Sequence, residues 1–229
     1  MSFLKKKYAV ATCIAVFFHL IGIVGMLFFD KNFFIAATPV NLLLMLGLIL
    51  YTQEKINISF IAFILLCFIV GVGTELIGVN TSLLFGSYAY GNVLGPSYSD
   101  VPFMIGVNWF IIIYCCGISV SMLLEKASAK LAEMTGAPSK ALKVFSVMSD
   151  GAMLAVFFDW VMEPAAVKLG YWQWLGDGSI PFYNYLTWFI LSAVLMAAFA
   201  FLKFNKRNIF AVNLLMIMMM FFMIVRTFL

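Results

Sequence analysis

The sequence is short of charge. Asp, Glu, Lys and Arg make up 10% of its 229 residues, against 65% for hydrophobic side chains, and the mean hydropathy is +1.07. A water-soluble domain carries about 25% charged residues and about 45–50% apolar ones. A chain this short has too little interior to hide so much apolar surface, which excludes an ordinary soluble fold and makes the bilayer the solvent. Histidine is nearly missing: His19 is the single one. The four cysteines, Cys13, Cys67, Cys115 and Cys116, sit inside apolar runs without metal-ligand spacing. They read as small buried residues, and a zinc or haem site has little to build on. No Asp-Asp-x-x-Asp cluster is present to hold a magnesium diphosphate. No Gly-x-Gly-x-x-Gly opens a helix after a strand to bind a dinucleotide. No lysine lies mid-span in the last apolar stretch for a retinal Schiff base. Basic patches interleaved with exposed aromatics are lacking too, so nucleic acid is not expected as a partner.

What is there is a series of long apolar runs. A bilayer-crossing helix needs about 20 apolar residues. Such stretches are read at 8–29, 33–51, 57–78, 102–124, 144–164, 183–203 and 208–228. They predict an all-α polytopic membrane helix bundle of about seven transmembrane helices, one integral membrane domain over 1–229. The first run follows Lys5, Lys6 and Lys7 as a signal peptide would, but it is too long and no small-x-small cleavage site follows, so it reads as a retained anchor. With the N-terminus in the cytoplasm, Lys5, Lys6, Lys7, Lys55, Lys126, Lys130, Lys140, Lys143, Lys203, Lys206 and Arg207 fall inside, and Lys31, Lys168 and Arg226 outside. That is 11 against 3, accounting for all 14 basic residues. The positive-inside rule therefore expects the N-terminus in and the C-terminus out, in the cell's inner (cytoplasmic) membrane.

Two far-side loops are expected at 79–101 and 165–182. Both are rich in Gly, Pro, Tyr and Trp and poor in charge. Part of this is the aromatic belt of any membrane protein, but loops of this length are often lids or binding loops. Segment 125–143 has the mixed charges of a solvated cytoplasmic loop or helix extension, and no chemistry is assigned to it.

Ionisable residues inside spans are rare and point to function. Glu75 lies in the third span, and Asp150, Asp159 and Glu163 lie in the fifth. Asp159 and Glu163, four apart, are separated by about 40° on one helix face. Asp150 is about 180° from Asp159 and near the cytoplasmic end, so it is left out of the site. Both spans run outward, which brings Glu75, Asp159 and Glu163 beneath the two aromatic segments. Three acids in a low dielectric with no cation nearby cannot all ionise cheaply, so at least one is expected to keep its proton at neutral pH. A protonated carboxyl among Trp and Tyr faces can protonate an unactivated double bond, and the aromatic faces can stabilise the resulting carbocation. His19 is expected as a hydrogen-bonded packing residue or as a group that orients one acid.

The ordered motifs resemble a known family. Glu75-Leu76-Ile77-Gly78-Val79-Asn80-Thr81, then Phe85-Gly86 with Tyr88 and Tyr90, then Gly95-Pro96, Val101-Pro102 and Trp109, are similar to the CruF-type carotenoid 1,2-hydratase family. So are Asp159, Glu163-Pro164, Gly170-Tyr171-Trp172-Gln173-Trp174, Pro181, Asn184 and Trp188. The likeness covers roughly 60–190, with Leu84 standing where the family often has proline. The resemblance implies a hydro-lyase of carotenoid biosynthesis that adds water across the terminal 1,2 double bond of an acyclic ψ end group. Its substrate would resemble lycopene, γ-carotene or a longer precursor. No cofactor and no metal are implied. The implied partners are the carotenoid, water, the lipid bilayer and other membrane enzymes of the pathway. Asp159, Glu75 and Glu163 would be catalytic. Trp109, Trp172, Trp174, Tyr88 and Tyr90, with Asn80, Asn184 and His19, would bind substrate or shield the cation. Two other readings stay open. A lycopene-type cyclase would protonate the same end group and close a ring, and an isoprenoid carrier would use the acids as a proton relay.

Overall fold

A computed structural model describes residues 3–135 and 139–229. Its main elements are helices α1 (Phe3–Phe28), α2 (Lys31–Ala36), α3 (Thr38–Thr52), α4 (Ile58–Thr81), α5 (Met104–Thr135), α6 (Lys140–Lys168), α7 (Phe182–Phe201) and α8 (Ile209–Phe228). Four short strands complete it: β1 (Tyr88–Tyr90), β2 (Ser97–Tyr98), β3 (Val101–Pro102) and β4 (Trp172–Trp174). The chain is an all-α membrane helix bundle. Six of the helices, all except α2 and α3, are long and apolar enough to cross a bilayer.

Helix starts follow local chemistry. Asp30 Oδ1 accepts the amides of Asn32 and Phe33, Asn57 Oδ1 accepts that of Phe60, and Ser139 Oγ accepts that of Leu142. Each thereby satisfies amides that a helix N-terminus leaves without partners. The apolar stretch expected as one span at 33–51 is broken in two. Pro39 has no N–H to give the Ile35 carbonyl, and its ring crowds that oxygen, so the helix restarts at Thr38. The restarted α3 has 15 residues, about 22 Å at 1.5 Å per residue, against a hydrocarbon core of about 30 Å. Segment 125–143, expected as a solvated loop or helix extension, is helical where it is described: α5 runs on to Thr135 and α6 starts at Lys140. Residues 136–138 of that expectation lie outside the described residues.

The helices run back and forth between two ends. At one end Tyr8 Oη donates to the Arg207 carbonyl, Asn57 Nδ2 to the Lys203 carbonyl, and Asn208 Nδ2 to Thr52 Oγ1 and Tyr114 Oη. At the other, Thr38 Oγ1 and Tyr171 Oη lie 2.8 Å apart, and Lys168 Nζ donates to the Arg226 carbonyl. Helix α5 is central: 67% of its most apolar stretch is buried, against 28–39% for the other five long helices. Helices α4 and α6 flank it, α7 packs along α6, and α8 along α1. Side chains such as Phe17, Ile58, Leu65, Ile69 and Phe182 stay exposed on the outer faces, where hydrocarbon would meet them. The approach of α4 to α5 requires Gly71, because a Cβ there would stand 2.7 Å from the Trp109 ring.

Candidate active site

The two far-side segments, expected as loops, are stitched together by a short antiparallel ribbon. Strand β1 pairs with β4 in the register Tyr88↔Trp174, Ala89↔Gln173 and Tyr90↔Trp172. Side chains alternate faces along a strand. Tyr88-Ala89-Tyr90 and Trp172-Gln173-Trp174 are both aromatic–small or polar–aromatic triplets, so this register puts four aromatics on one face. That face looks down on the acids, and exposed Gln173 points the other way.

Each ribbon strand holds one carboxylate. Tyr88 and Tyr90 donate their hydroxyls to Glu75 Oε2 at 2.6 and 2.7 Å, and Trp109 Nε1 donates to Oε1 at 3.1 Å. Trp172 and Trp174 both donate their indole N–H to Glu163 Oε2 at 3.0 Å. Burial, reinforced by the neighbouring Glu75, holds both ribbon phenols far above the ordinary tyrosine range, so they remain O–H donors. Asp159 is served differently. Asn184 Nδ2 donates to Oδ2 at 2.9 Å, while Oδ1 is buried without a partner. Every hydrogen bond given to the three acids thus comes from a neutral donor.

The acids share a chamber of about 30 Å³ with the four ribbon aromatics, Trp109 and Asn184. That is room for about one water molecule. Trp109 stacks on Trp188 with ring centroids 4.2 Å apart and planes 11° apart, and both line the chamber. Phe85 lines it as well. It reaches inward because Phe85 and Gly86 both adopt positive φ, 66° and 119°, a conformation natural for glycine and strained for phenylalanine.

Most of the expected site residues therefore meet: Asp159, Glu75, Glu163, Trp109, Trp172, Trp174, Tyr88, Tyr90 and Asn184 all line the chamber. Asn80 and His19 do not. Asn80 is exposed, and its Nδ2 donates to the Leu76 carbonyl one turn back in α4. His19 is buried in α1, where its Nδ1 lies 2.8 Å from the Ala15 carbonyl, and it faces a separate cavity. Asp150 is exposed, hydrogen-bonded to the Ser149 hydroxyl and away from the chamber. Sequence reasoning missed Ile105, Asn108 and Met162 as lining residues, along with the roles of Phe85 and Trp188. Trp188 had a signal, since it follows Asn184 by four on one helix face. Among the described residues no group of three His, Cys, Asp or Glu side chains is arranged to hold a metal ion.

The model of a family described as carotenoid biosynthesis protein matches residues 34–229. The chain belongs to the carotenoid biosynthesis protein family. It is also 28% identical over 206 residues to the bisanhydrobacterioruberin hydratase of Haloarcula japonica, an alignment covering 82% of this chain. The chain spans 64% of that relative's length. No solved structure matches it.

Proposed function

We propose that this family member is a carotenoid hydratase, adding water across the terminal 1,2 double bond of an acyclic ψ end group to give a 1-hydroxy end. The observation that carries this reading is Asp159 Oδ1, a buried carboxyl oxygen without a partner on the wall of a water-sized chamber ringed by aromatic faces. Both oxygens of Glu75 are occupied by donors, which suits a fixed carboxylate. Glu163 takes both indole bonds on Oε2 and leaves Oε1 for a water molecule.

The roles follow from that inventory. Asp159 gives a proton from Oδ1 to C2, and the π electrons of the double bond form the new C–H bond. The tertiary cation left at C1 is stabilised by the faces of Trp109, Trp188 and the ribbon aromatics, and by the negative charge of Glu75. Water on Glu163 Oε1 attacks C1 and loses its second proton to that oxygen. The proton returns to Asp159, one helical turn away on the same face. One water is consumed and no net proton. A general acid and a general base contribute about 10²–10⁴-fold each. The name of the Haloarcula japonica relative, a hydratase, supports the reaction type.

The same reading includes seven crossings, with the α2–α3 pair acting as the second, and an N-terminus in the cytoplasm with the acids in the outer half of the inner membrane. The 11-to-3 distribution of basic residues supports it. The test is expression in bacteria that accumulate lycopene, followed by mass analysis of the pigment. Gain of the mass of one water molecule per end group is the expected result. A mass-neutral product would replace hydration with cyclisation, and unchanged pigment would leave the acids as a proton relay in a carrier.

A further inference from the structure

Beside the acid chamber lies a second cavity that no step of the proposed reaction uses. It measures about 300 Å³ and is walled by α1, α2, α3, α5, α6 and α8. Ile105, Asn108, Met162 and Trp172 line both cavities, so side chains rather than backbone divide them. The far end of the cavity reaches the outside of the bundle. Phe18 and Ile21 of α1 and Phe33 and Val40 of α2 and α3 line it and are 40–68% exposed. Those exposed faces belong to hydrocarbon, so this mouth opens sideways into lipid. The helix break at Pro39 stands beside it and separates α2 from α3 where one continuous helix would run.

We propose, building on the hydratase reading, that this cavity is the berth of the substrate's chain. It would take a linear, unsaturated isoprenoid hydrocarbon, drawn sideways from the bilayer between α1 and the α2–α3 break, with its end group passed between Met162 and Asn108 into the acid chamber. Among the described residues the wall carries no Asp, Glu, Lys or Arg, which disfavours a charged headgroup and suits a hydrocarbon. The acid chamber alone holds a water and not an isoprene unit, so the reacting end must displace part of the dividing wall. Met162 is the most adaptable side chain in that wall. Asn108 makes no side-chain hydrogen bond among the described residues and is free to turn as the end group passes. A cavity of this volume sits at the low end of the range for small-molecule sites, about 300–1,000 Å³. It therefore takes the leading end of a long polyene, while the rest of the chain stays in the bilayer.

The test separates the berth from the reaction. Protein is purified in detergent from bacteria making lycopene, and bound pigment per folded protein is measured for wild type, Asp159→Asn and Gly22→Phe. Gly22 lines the cavity, and a Cβ there would meet nothing nearer than 3.6 Å, so an added ring enters the cavity itself. Wild type and Asp159→Asn should both retain lycopene, and Gly22→Phe should lower retention and hydrated product together, by about tenfold or more. If wild type makes no hydrated product but binds lycopene and Gly22→Phe abolishes the binding, the berth stands and the hydratase reading falls. If Gly22→Phe retains lycopene or turns it over normally, the berth falls. Should Gly22→Phe fail to fold, a benzophenone side chain at Phe33, at the mouth, is compared with one at Ile69 on the outer face of α4. Selective linkage to lycopene at Phe33 supports the berth. Equal linkage at both positions, or only phospholipid acyl chains at Phe33, overturns it.

Discussion

Replacing Asp159 and Glu75 by their amides should separate chemistry from stability, because the two acids are held so differently. In Asp159→Asn the amide oxygen can take the place of Oδ2 and keep the bond from Asn184, while the amide nitrogen occupies the position of the unpartnered Oδ1. The folded state loses no hydrogen bond, and a water molecule in the chamber can accept from the new amide N–H, so the destabilisation should stay below about 1 kcal/mol. The acidic proton is gone, and turnover should fall by about 10²–10⁴-fold, equivalent to about 3–5 kcal/mol in the barrier. Glu75→Gln meets three donors, Tyr88, Tyr90 and Trp109, with one acceptor oxygen instead of two. Whichever way the new amide turns, at least one buried donor loses its acceptor, for about 1–3 kcal/mol. That variant should lose turnover and also resistance to heat. Asp150→Asn is the control, since that side chain is exposed and far from the chamber. The assay is hydrated pigment per unit of folded protein in lipid, with thermal unfolding followed in parallel. Wild-type turnover in Asp159→Asn would refute its role as the proton donor. Equal heat resistance in Glu75→Gln and wild type would refute the hydrogen-bond arithmetic. A greater loss in Asp150→Asn than in the other two would put the site at the wrong end.

Reporter fusions after Lys55, Lys143 and Lys206 should give a cytoplasmic signal, and fusions near Gly95 and Asp177 the opposite; a cytoplasmic signal at Gly95 breaks the proposed topology. Gly71→Ala puts a methyl 2.7 Å from the Trp109 ring, so it should cost about 1–3 kcal/mol of stability and, by moving the indole off Glu75, lower turnover; unchanged thermal unfolding would show that α4 and α5 can part freely. Activity of lipid-reconstituted protein should survive EDTA, and loss restored by a divalent ion would end the metal-free mechanism.

The acids were legible in the sequence because a carboxyl within an apolar run is rare enough to identify itself. Their convergence followed from helix direction alone, since α4 and α6 are parallel. The ribbon was written in the two alternating triplets, but nothing in either one says that it pairs with the other, 84 residues away; that register is set by packing. Asn80 and His19 were legible as polar residues near the right depth, yet each satisfies itself against a carbonyl one turn back in its own helix, an option that spacing alone does not reveal. The break before α3 had a local cause in Pro39, masked by the apolar residues around it. The second cavity could not be read at all, because each of its helices contributes residues that look like ordinary lipid-facing or core positions.

The ribbon also bears on how the chain is made. Tyr88 and Tyr90 follow Glu75 by 13 and 15 residues, and Trp172 and Trp174 follow Glu163 by 9 and 11. Each helix therefore brings two donors for its acid's Oε2 with it, in the segment that leaves the ribosome next. As α4 enters the membrane, Glu75 need not wait for the second half of the protein before its oxygens are covered, and α6 repeats the arrangement for Glu163. Glu75 Oε1 waits for Trp109 on the next helix, and Asp159 has no donor at all in the segment that follows its own helix. Its donor, Asn184, comes 25 residues later on a different helix, so the acid with the bare oxygen is also the last of the three to find its partner during insertion.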